Sequence, residues 1–345
     1  MKEQKRYLGI DLLRIVSMYM IAVMHTLCHG GILMNLAEGT FTYHTMWLLE
    51  YAAFCAVNCF ALISGFVGYD TRHRPQSIVM LWLQVVFYTV TISVAVLIFK
   101  PSLMSLKLIA NAFFPVTRNQ YWYFSAYFPL FFIMPLLDAA VRTVPQNILR
   151  RSLLVIHGLF GFASFFGASD VYHLSSGYSL LWLAYLYVLG AYIRKYQSFS
   201  NVRTRVWLGL YAAGVLLVEF SAVFASDHKH QIIGYVQPSI MLSGIALFFV
   251  FRNLQCKKLS GVIRFLTPTA FAVYLIHTHP LIWNGVLANR FLFCTKYPLL
   301  LKILAVLGIA FGIYAVCTLI ELLRIWLFQK LRIKEAVEKV FSLMS

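Results

Sequence analysis

Charge is scarce in this 345-residue chain: 12 residues are acidic, 29 are basic, and Asp, Glu, Lys and Arg together make up 12% of it. Soluble globular proteins carry about twice that share. With 61% hydrophobic residues and a mean hydropathy of +0.76, the composition excludes a soluble enzyme, a disordered chain and a zinc-finger scaffold. Cysteine is sparse too. Cys28, Cys55, Cys59, Cys256, Cys294 and Cys317 are scattered through or near apolar stretches, with Cys55 and Cys59 expected on one helix, so no disulfide framework or metal-finger spacing emerges. Repeats and low-complexity linkers are missing, and no polar stretch exceeds about 25 residues, too few for a second folded domain. Any chemistry must sit within or at the edges of an all-α membrane bundle.

Apolar runs of about 20 residues, enough to cross a hydrocarbon core some 30 Å thick, are what the chain does have. About ten are predicted, at 8–29, 45–69, 77–99, 121–141, 152–168, 178–193, 205–226, 232–251, 266–288 and 298–323. The first follows a basic start but contains Asp11, Arg14 and His25 and no convincing cleavage site, so it is expected to be a retained span and not a signal peptide. The net charge of +17 points to an anionic partner, but the basic residues recur as short clusters between apolar runs, which excludes nucleic acid and implies a bilayer surface.

The clusters also predict orientation. Lys2, Lys5 and Arg6, then Arg72 and Arg74, Arg142, Arg150 and Arg151, and Arg194, Lys195, Arg203 and Arg205 fall on one set of alternate segments, continuing with Arg252, Lys257, Lys258 and Arg264 and the basic end of the chain. The other set holds only Lys100, Lys107, Arg118, Lys229, Arg290, Lys296 and Lys302. Basic loops stay in the cytoplasm, so both termini are expected there, with residues 1–323 as the transmembrane domain. Residues 324–345 place Ile333, Val337, Val340, Phe341 and Met344 at helical spacing opposite charged residues and read as an interfacial amphipathic tail. Residues 100–120 are too polar and proline-broken for a span and are expected outside, partly embedded.

An ionisable residue inside a span costs several kcal/mol unless paired or hydrated, so each is a functional candidate. In the first span Asp11 and Arg14 are three apart and can pair. Eleven helical steps from Arg14 to His25 return to within about 20° of the starting direction and cover about 16 Å. Arg14 and His25 therefore share one stripe at two depths, with a snorkelling anchor and a packing histidine as the plain alternatives. Arg72 and Arg74 flank His73 just after the glycine-containing segment FALISGFVGYD. Guanidinium groups fork onto phosphate oxygens, although ordinary topology signalling explains such a pair equally.

Trp122, Tyr123 and Tyr127 open a later span and fit either an interfacial belt or a platform for a sugar ring. Tyr274 and His277 are neighbours on the ninth run. His25 with His29, or His277 with His279, lacks carboxylate or thiolate partners at metal-ligand spacing, so no metal is expected.

Four stretches together resemble the membrane-bound acyltransferase-3 family, ten-helix proteins that acylate, usually acetylate, cell-surface glycans and related acceptors. IDLLRIVSMYMIAVMH is similar to its first helix, with Arg, ten residues, His at Arg14 and His25. FALISGFVGYDTRHR resembles its second helix and the following Arg, any residue, Arg element at Arg72 and Arg74. YWYFSAYFPLFFIMPLLD resembles the aromatic helix of members that work on polysaccharides, and FAVYLIHTHPLIW the late Tyr, two residues, His helix. They run in family order from residue 8 to about 285. The resemblance implies acetyl-CoA or a related thioester as donor, a glycan hydroxyl as acceptor, and roles for His25 and the arginines.

On that reading His25 is the general base, a role suited to a side chain with a reference pKa near 6.5. Arg72 and Arg74 hold the donor phosphates and Arg14 helps position the donor. Asp11 is expected to pair with Arg14, and Tyr274 and His277 to support the site or bind acceptor. The sequence carries no stretch matching the hydrolase-like domain appended in some members, so transfer is expected within the bundle, in the cytoplasmic membrane of a bacterium. Ile15 stands where many members have glycine, which leaves the acceptor subgroup open. The competing class is a carrier or flippase for a lipid-linked sugar or anionic solute, since intramembrane Arg and His also line transport routes; no inverted repeat favours it. Oligomeric state has no signature in the sequence.

Overall fold

The computed structural model describes residues 6–69, 71–103, 105–166, 170–224 and 234–344. Lys2, Lys5 and Lys229, and the predicted span edges at 167–168, 225–226 and 232–233, lie outside the described residues. All regular structure among the described residues is helical. The helices are α1 (Leu8–Leu27), α2 (Phe41–Phe54), α3 (Ala56–Gly68), α4 (Pro75–Phe99), α5 (Leu106–Phe113), α6 (Trp122–Thr143), α7 (Gln146–Phe166) and α8 (Leu180–Tyr196). They continue with α9 (Thr204–Phe224), α10 (Pro238–Asn253), α11 (Ser260–Leu266), α12 (Ala270–His277), α13 (Pro280–Ile282), α14 (Leu299–Lys330) and α15 (Ile333–Met344).

Helix occupies part of every predicted run, and among the described residues seven stretches are long and apolar enough to cross a membrane, with α2–α3 and Lys257–His277 each counted once. The chain is a multi-pass membrane protein. Helices α8 and α10 are shorter, 17 and 16 residues, and α7 carries Arg150 and Arg151. The second run is not one helix: α2 stops at Cys55 and α3 starts at Ala56, so Cys55 marks the break and Cys59 sits in the next helix.

The ninth run lies earlier than its hydropathy suggested. Pro268 turns the chain through a short 3-10 segment between α11 and α12, and Pro280, lacking an amide proton, ends the continuous helix just beyond His277. Residues 278–297 then fold back onto the end of α1, where the Asn289 and Phe291 amides donate to the carbonyls of His29 and Gly30. Helix α14 runs past the expected boundary at 323 to Lys330, and α15 begins after a left-handed Arg332. Pro101–Leu103 and α5 form the broken segment expected over 100–120, and α5 packs on α4.

The span that carries Asp11, Arg14 and His25 is also the most central. Helix α1 packs against α2, α3, α10, α11, α12 and α14. Helices α3 and α8 cross closely because each presents glycine at the contact: a Cβ on Gly65 would stand 1.9 Å from the Tyr187 carbonyl oxygen, and one on Gly190 2.3 Å from that of Leu62. Lipid offers no hydrophobic drive for helix pairing, so this close backbone approach supplies the packing instead. It brings the C-terminal ends of α3, α8 and α10 around the N-terminal end of α1.

Candidate active site

At the C-terminal end of α1, His25 meets His277, 252 residues away in the chain. His25 Nδ1 lies 2.7 Å from His277 Nε2, and His277 Nδ1 is hydrogen-bonded to the Val273 carbonyl one turn back on α12. A carbonyl can only accept, so His277 carries its proton on Nδ1 and offers Nε2 as acceptor. His25 then donates from Nδ1, and in the neutral ring its Nε2 is the unprotonated nitrogen, with no hydrogen bond to a described residue. His277 is 1% exposed, whereas His25 is partly accessible and lines a small cavity of about 40 Å³. The cavity is otherwise aromatic, with Trp122, Tyr123, Tyr235, Phe271 and Tyr274 in its wall.

Residues that the sequence did not single out, Trp283, Tyr178 and Tyr235, complete the aromatic surroundings of the site. Trp283 stands edge-on to His25 with centroids 4.6 Å apart and stacks on His29 at 3.7 Å. His29 Nε2 donates to the Trp283 carbonyl at 2.9 Å, locking the folded-back segment in place. Tyr235 lies almost parallel to Trp122 at 5.9 Å, and Tyr178 packs on Trp122 at 4.5 Å. Trp122 and Tyr123 thus face a cavity inside the bundle and are not a belt toward lipid. Tyr274 supports the same wall, with its hydroxyl 3.4 Å from the Tyr123 amide.

Arg14 lies deeper along α1 and keeps 30% of its side chain accessible while surrounded by Asp11, Tyr123 and Tyr127. Ser64, whose hydroxyl donates to the Phe60 carbonyl, lies beside both tyrosines, whose rings lie parallel at 6.2 Å. Tyr123 therefore borders Arg14 on one side and the His25 cavity on the other. The expected Asp11–Arg14 pair is present at 3.9 Å, but the closer partner of Asp11 is Arg6 at 2.5 Å.

Arg6 and Asp11 line a second cavity, about 260 Å³ and open, at the N-terminal end of α1. The stripe predicted from helical spacing thus has a cavity at each end, with Arg14, Ser64, Tyr123 and Tyr127 grouped along it between them. In the SGF segment, Ser64 belongs to that group, Gly65 allows the α3–α8 crossing, and Phe66 walls the second cavity.

Arg72 and Arg74 are both exposed on the strand-like connection before α4. The residue between them is the anchored one. His73 Nε2 is 2.8 Å from Asp138, and Tyr187 donates to the same carboxylate at 2.9 Å, so His73 is tied inward to α6 and α8. Side chains alternate along an extended segment, which turns the two arginines away from that anchor. Among the described residues no group of three or more His, Cys, Asp or Glu is placed to hold a metal ion.

A family model described as an acyltransferase domain, that of acyltransferase-3, matches residues 7–322. The chain belongs to the acyltransferase-3 family. It is a membrane acyltransferase by that membership and by its apolar helices, and the match takes in α1 through nearly all of α14. No curated protein and no solved structure matches the chain.

Proposed function

We propose that this acyltransferase moves an acetyl group from acetyl-CoA on the cytoplasmic side to a hydroxyl of a cell-surface or lipid-linked glycan, across the cytoplasmic membrane of a bacterium. The observation that carries the proposal is the ordered hydrogen-bond chain from Val273 through His277 to His25, which leaves a basic imidazole nitrogen facing an aromatic cavity.

His25 Nε2 takes the proton of the acceptor hydroxyl as its oxygen attacks the thioester carbonyl. The tetrahedral intermediate collapses, the carbon–sulfur bond breaks, and the CoA thiolate recovers a proton from the imidazolium, so that ester and free thiol result. While His25 is protonated on both nitrogens, His277 Nε2 accepts from it and spreads the charge, a stabilisation such a buried relay provides without moving heavy atoms. His25 and Arg14 are the proposed catalytic pair, with Arg14 aligning the donor beside Tyr123 and Tyr127. Arg72 and Arg74 belong to the donor's cytoplasmic approach.

Trp122, with Tyr178 and Tyr235, supports a sugar as acceptor: aromatic faces pack on the apolar faces of pyranose rings, and the phenol hydroxyls supply hydrogen bonds. Asp11, Tyr274 and His277 hold the machinery in register. The test is to supply membranes containing the protein with radiolabelled acetyl-CoA and glycan acceptors. Alkali-labile label on the glycan, lost in His25→Ala at unchanged protein abundance, is expected. Full turnover by that variant rejects His25 as base, and absence of labelled product with every acceptor favours a carrier.

A further inference from the structure

Besides its hydrogen bond to His277, His25 meets the segment that folds back beyond Pro280. Trp283 is wedged between two imidazoles four residues apart in the chain, edge-on to His25 at 4.6 Å and stacked on His29 at 3.7 Å, 13° from parallel. Its backbone is fixed as firmly as its ring. The Trp283 carbonyl accepts from His29 Nε2 at 2.9 Å and from the Ala288 amide at 3.0 Å, the second bond closing a π-helical turn over Trp283–Leu287. Such wide turns are rare and recur at functional sites. The segment is also seated against the end of α1: the Asn289 and Phe291 amides reach the His29 and Gly30 carbonyls, and a Cβ on Gly30 would stand 2.5 Å from the Phe291 ring. So close an approach needs glycine. Beyond Trp283, Asn284, Gly285, Val286, Asn289 and Arg290 are exposed. Trp283 is thus the inward side chain of a polar surface segment laid against His25.

We propose that Trp283 is a positioning residue of this site: it holds His25 against His277 and closes the ring to bulk water on the segment's side, which directs the acyl group to an alcohol. The assignment rests on the transferase reading above. A base that activates a sugar hydroxyl activates water as well. In that competing reaction the water oxygen attacks the thioester carbonyl, the carbon–sulfur bond breaks, and acetate, the free thiol and a proton result in place of an ester. Water is in large excess, so an imidazole base beside a surface segment has to be covered for transfer to win. An indole suits that task, because it is large, has apolar faces and is limited to two side-chain torsions. The stack on His29 and the doubly used carbonyl fix the direction in which it points.

Accessibility is read without turnover, on the purified full-length protein in nanodiscs. Diethyl pyrocarbonate modifies an unprotonated imidazole nitrogen that it can reach, and peptide mass spectrometry gives the rate at each histidine. Trp283→Ala speeds modification of His25 about tenfold, the change that one ring contact supplies, and Trp283→Phe restores protection in part. His277, whose Nε2 accepts from His25 and which is 1% exposed, reports on the fold and stays slow. Where Trp283→Ala exposes His277 too, the comparison passes to Trp283→Phe and His29→Gln. The latter keeps a donor for the Trp283 carbonyl, loses the stacked ring, and raises the rate at His25 alone. With acetyl-CoA and a glycan acceptor, the share of thiol released without ester rises at least about tenfold in Trp283→Ala, at unchanged donor KM.

Equal rates at His25 in wild type, Trp283→Phe and Trp283→Ala overturn the proposal. A fall in transfer with no rise in the hydrolysed share overturns it too, because that is what losing a purely structural residue gives. Ester formed by wild type and by Trp283→Ala with the same hydrolysed share keeps the transferase reading and rejects the role of Trp283. Faster modification of His25 in Trp283→Ala, in a protein that consumes no acetyl-CoA by either route, upholds the cover over His25 and rejects the transferase reading.

Discussion

The two ends of α1 solve opposite problems with the same helix. At its N-terminal end, Arg6 and Arg14 pair with Asp11 beside an open cavity lined by Arg6, Asp11 and Arg194. At its C-terminal end the groups are histidines and aromatic rings, and what matters is which nitrogen carries a proton. Charge placed near His25 would compete with the proton transfer. The group of Arg14, Ser64, Tyr123 and Tyr127 stands between the two regimes within one bundle.

The largest effect expected from breaking the comparison is at His25. His25→Ala removes the base and lowers kcat by about 10²–10⁴-fold with the donor KM unchanged, as steady-state kinetics on purified protein would show. Loss confined to KM would move His25 into binding. His277→Ala acts only through His25, so a fall in kcat of about tenfold to a hundredfold is expected, again with donor KM unchanged. His277→Gln, which keeps an acceptor for His25 Nδ1, recovers part of it; a structural role would give no such rescue.

Trp122→Ala sharpens the contrast from the acceptor side. Losing one aromatic contact of about 0.5–1.5 kcal/mol raises the acceptor KM up to about tenfold and leaves donor kinetics alone. A change in donor KM instead would mean that the two cavities do not act separately.

Asp138→Asn tests the inward anchor between Arg72 and Arg74. It weakens a buried contact and lowers stability by about 1–3 kcal/mol, read as a fall in Tm, with little change in kcat for the folded fraction.

Much of this was legible in the sequence wherever a single helix carried the signal. The Arg14–His25 stripe, the Tyr274–His277 neighbourhood and the apolar runs all follow from period and length within one element. What was not legible lies between elements. His25 and His277 are 252 residues apart, and periodicity says which face of a helix is polar but not which face it meets. Arg194 and Arg252 looked like ordinary inner-leaflet charges, because a topology anchor and an arginine laid over buried rings use the same residue type at the same helix end. Their stacking on Tyr7, Phe66 and Phe249 separates the two. His73 was passed over between two arginines for the same reason: its partners Asp138 and Tyr187 are on other helices. The ninth run was misplaced because hydropathy continues past Pro280 while the backbone hydrogen bonding of a straight helix does not.

The most direct test places donor and acceptor on opposite sides of a sealed membrane. In inverted vesicles, labelled acetyl-CoA is added outside, where the proposed orientation puts the N-terminal end of α1, and glycan acceptor is enclosed in the lumen. Label on the enclosed glycan, absent with His25→Ala, is the predicted result. Label appearing only on acceptor added to the same side as acetyl-CoA would contradict a reaction fed from the two ends of α1.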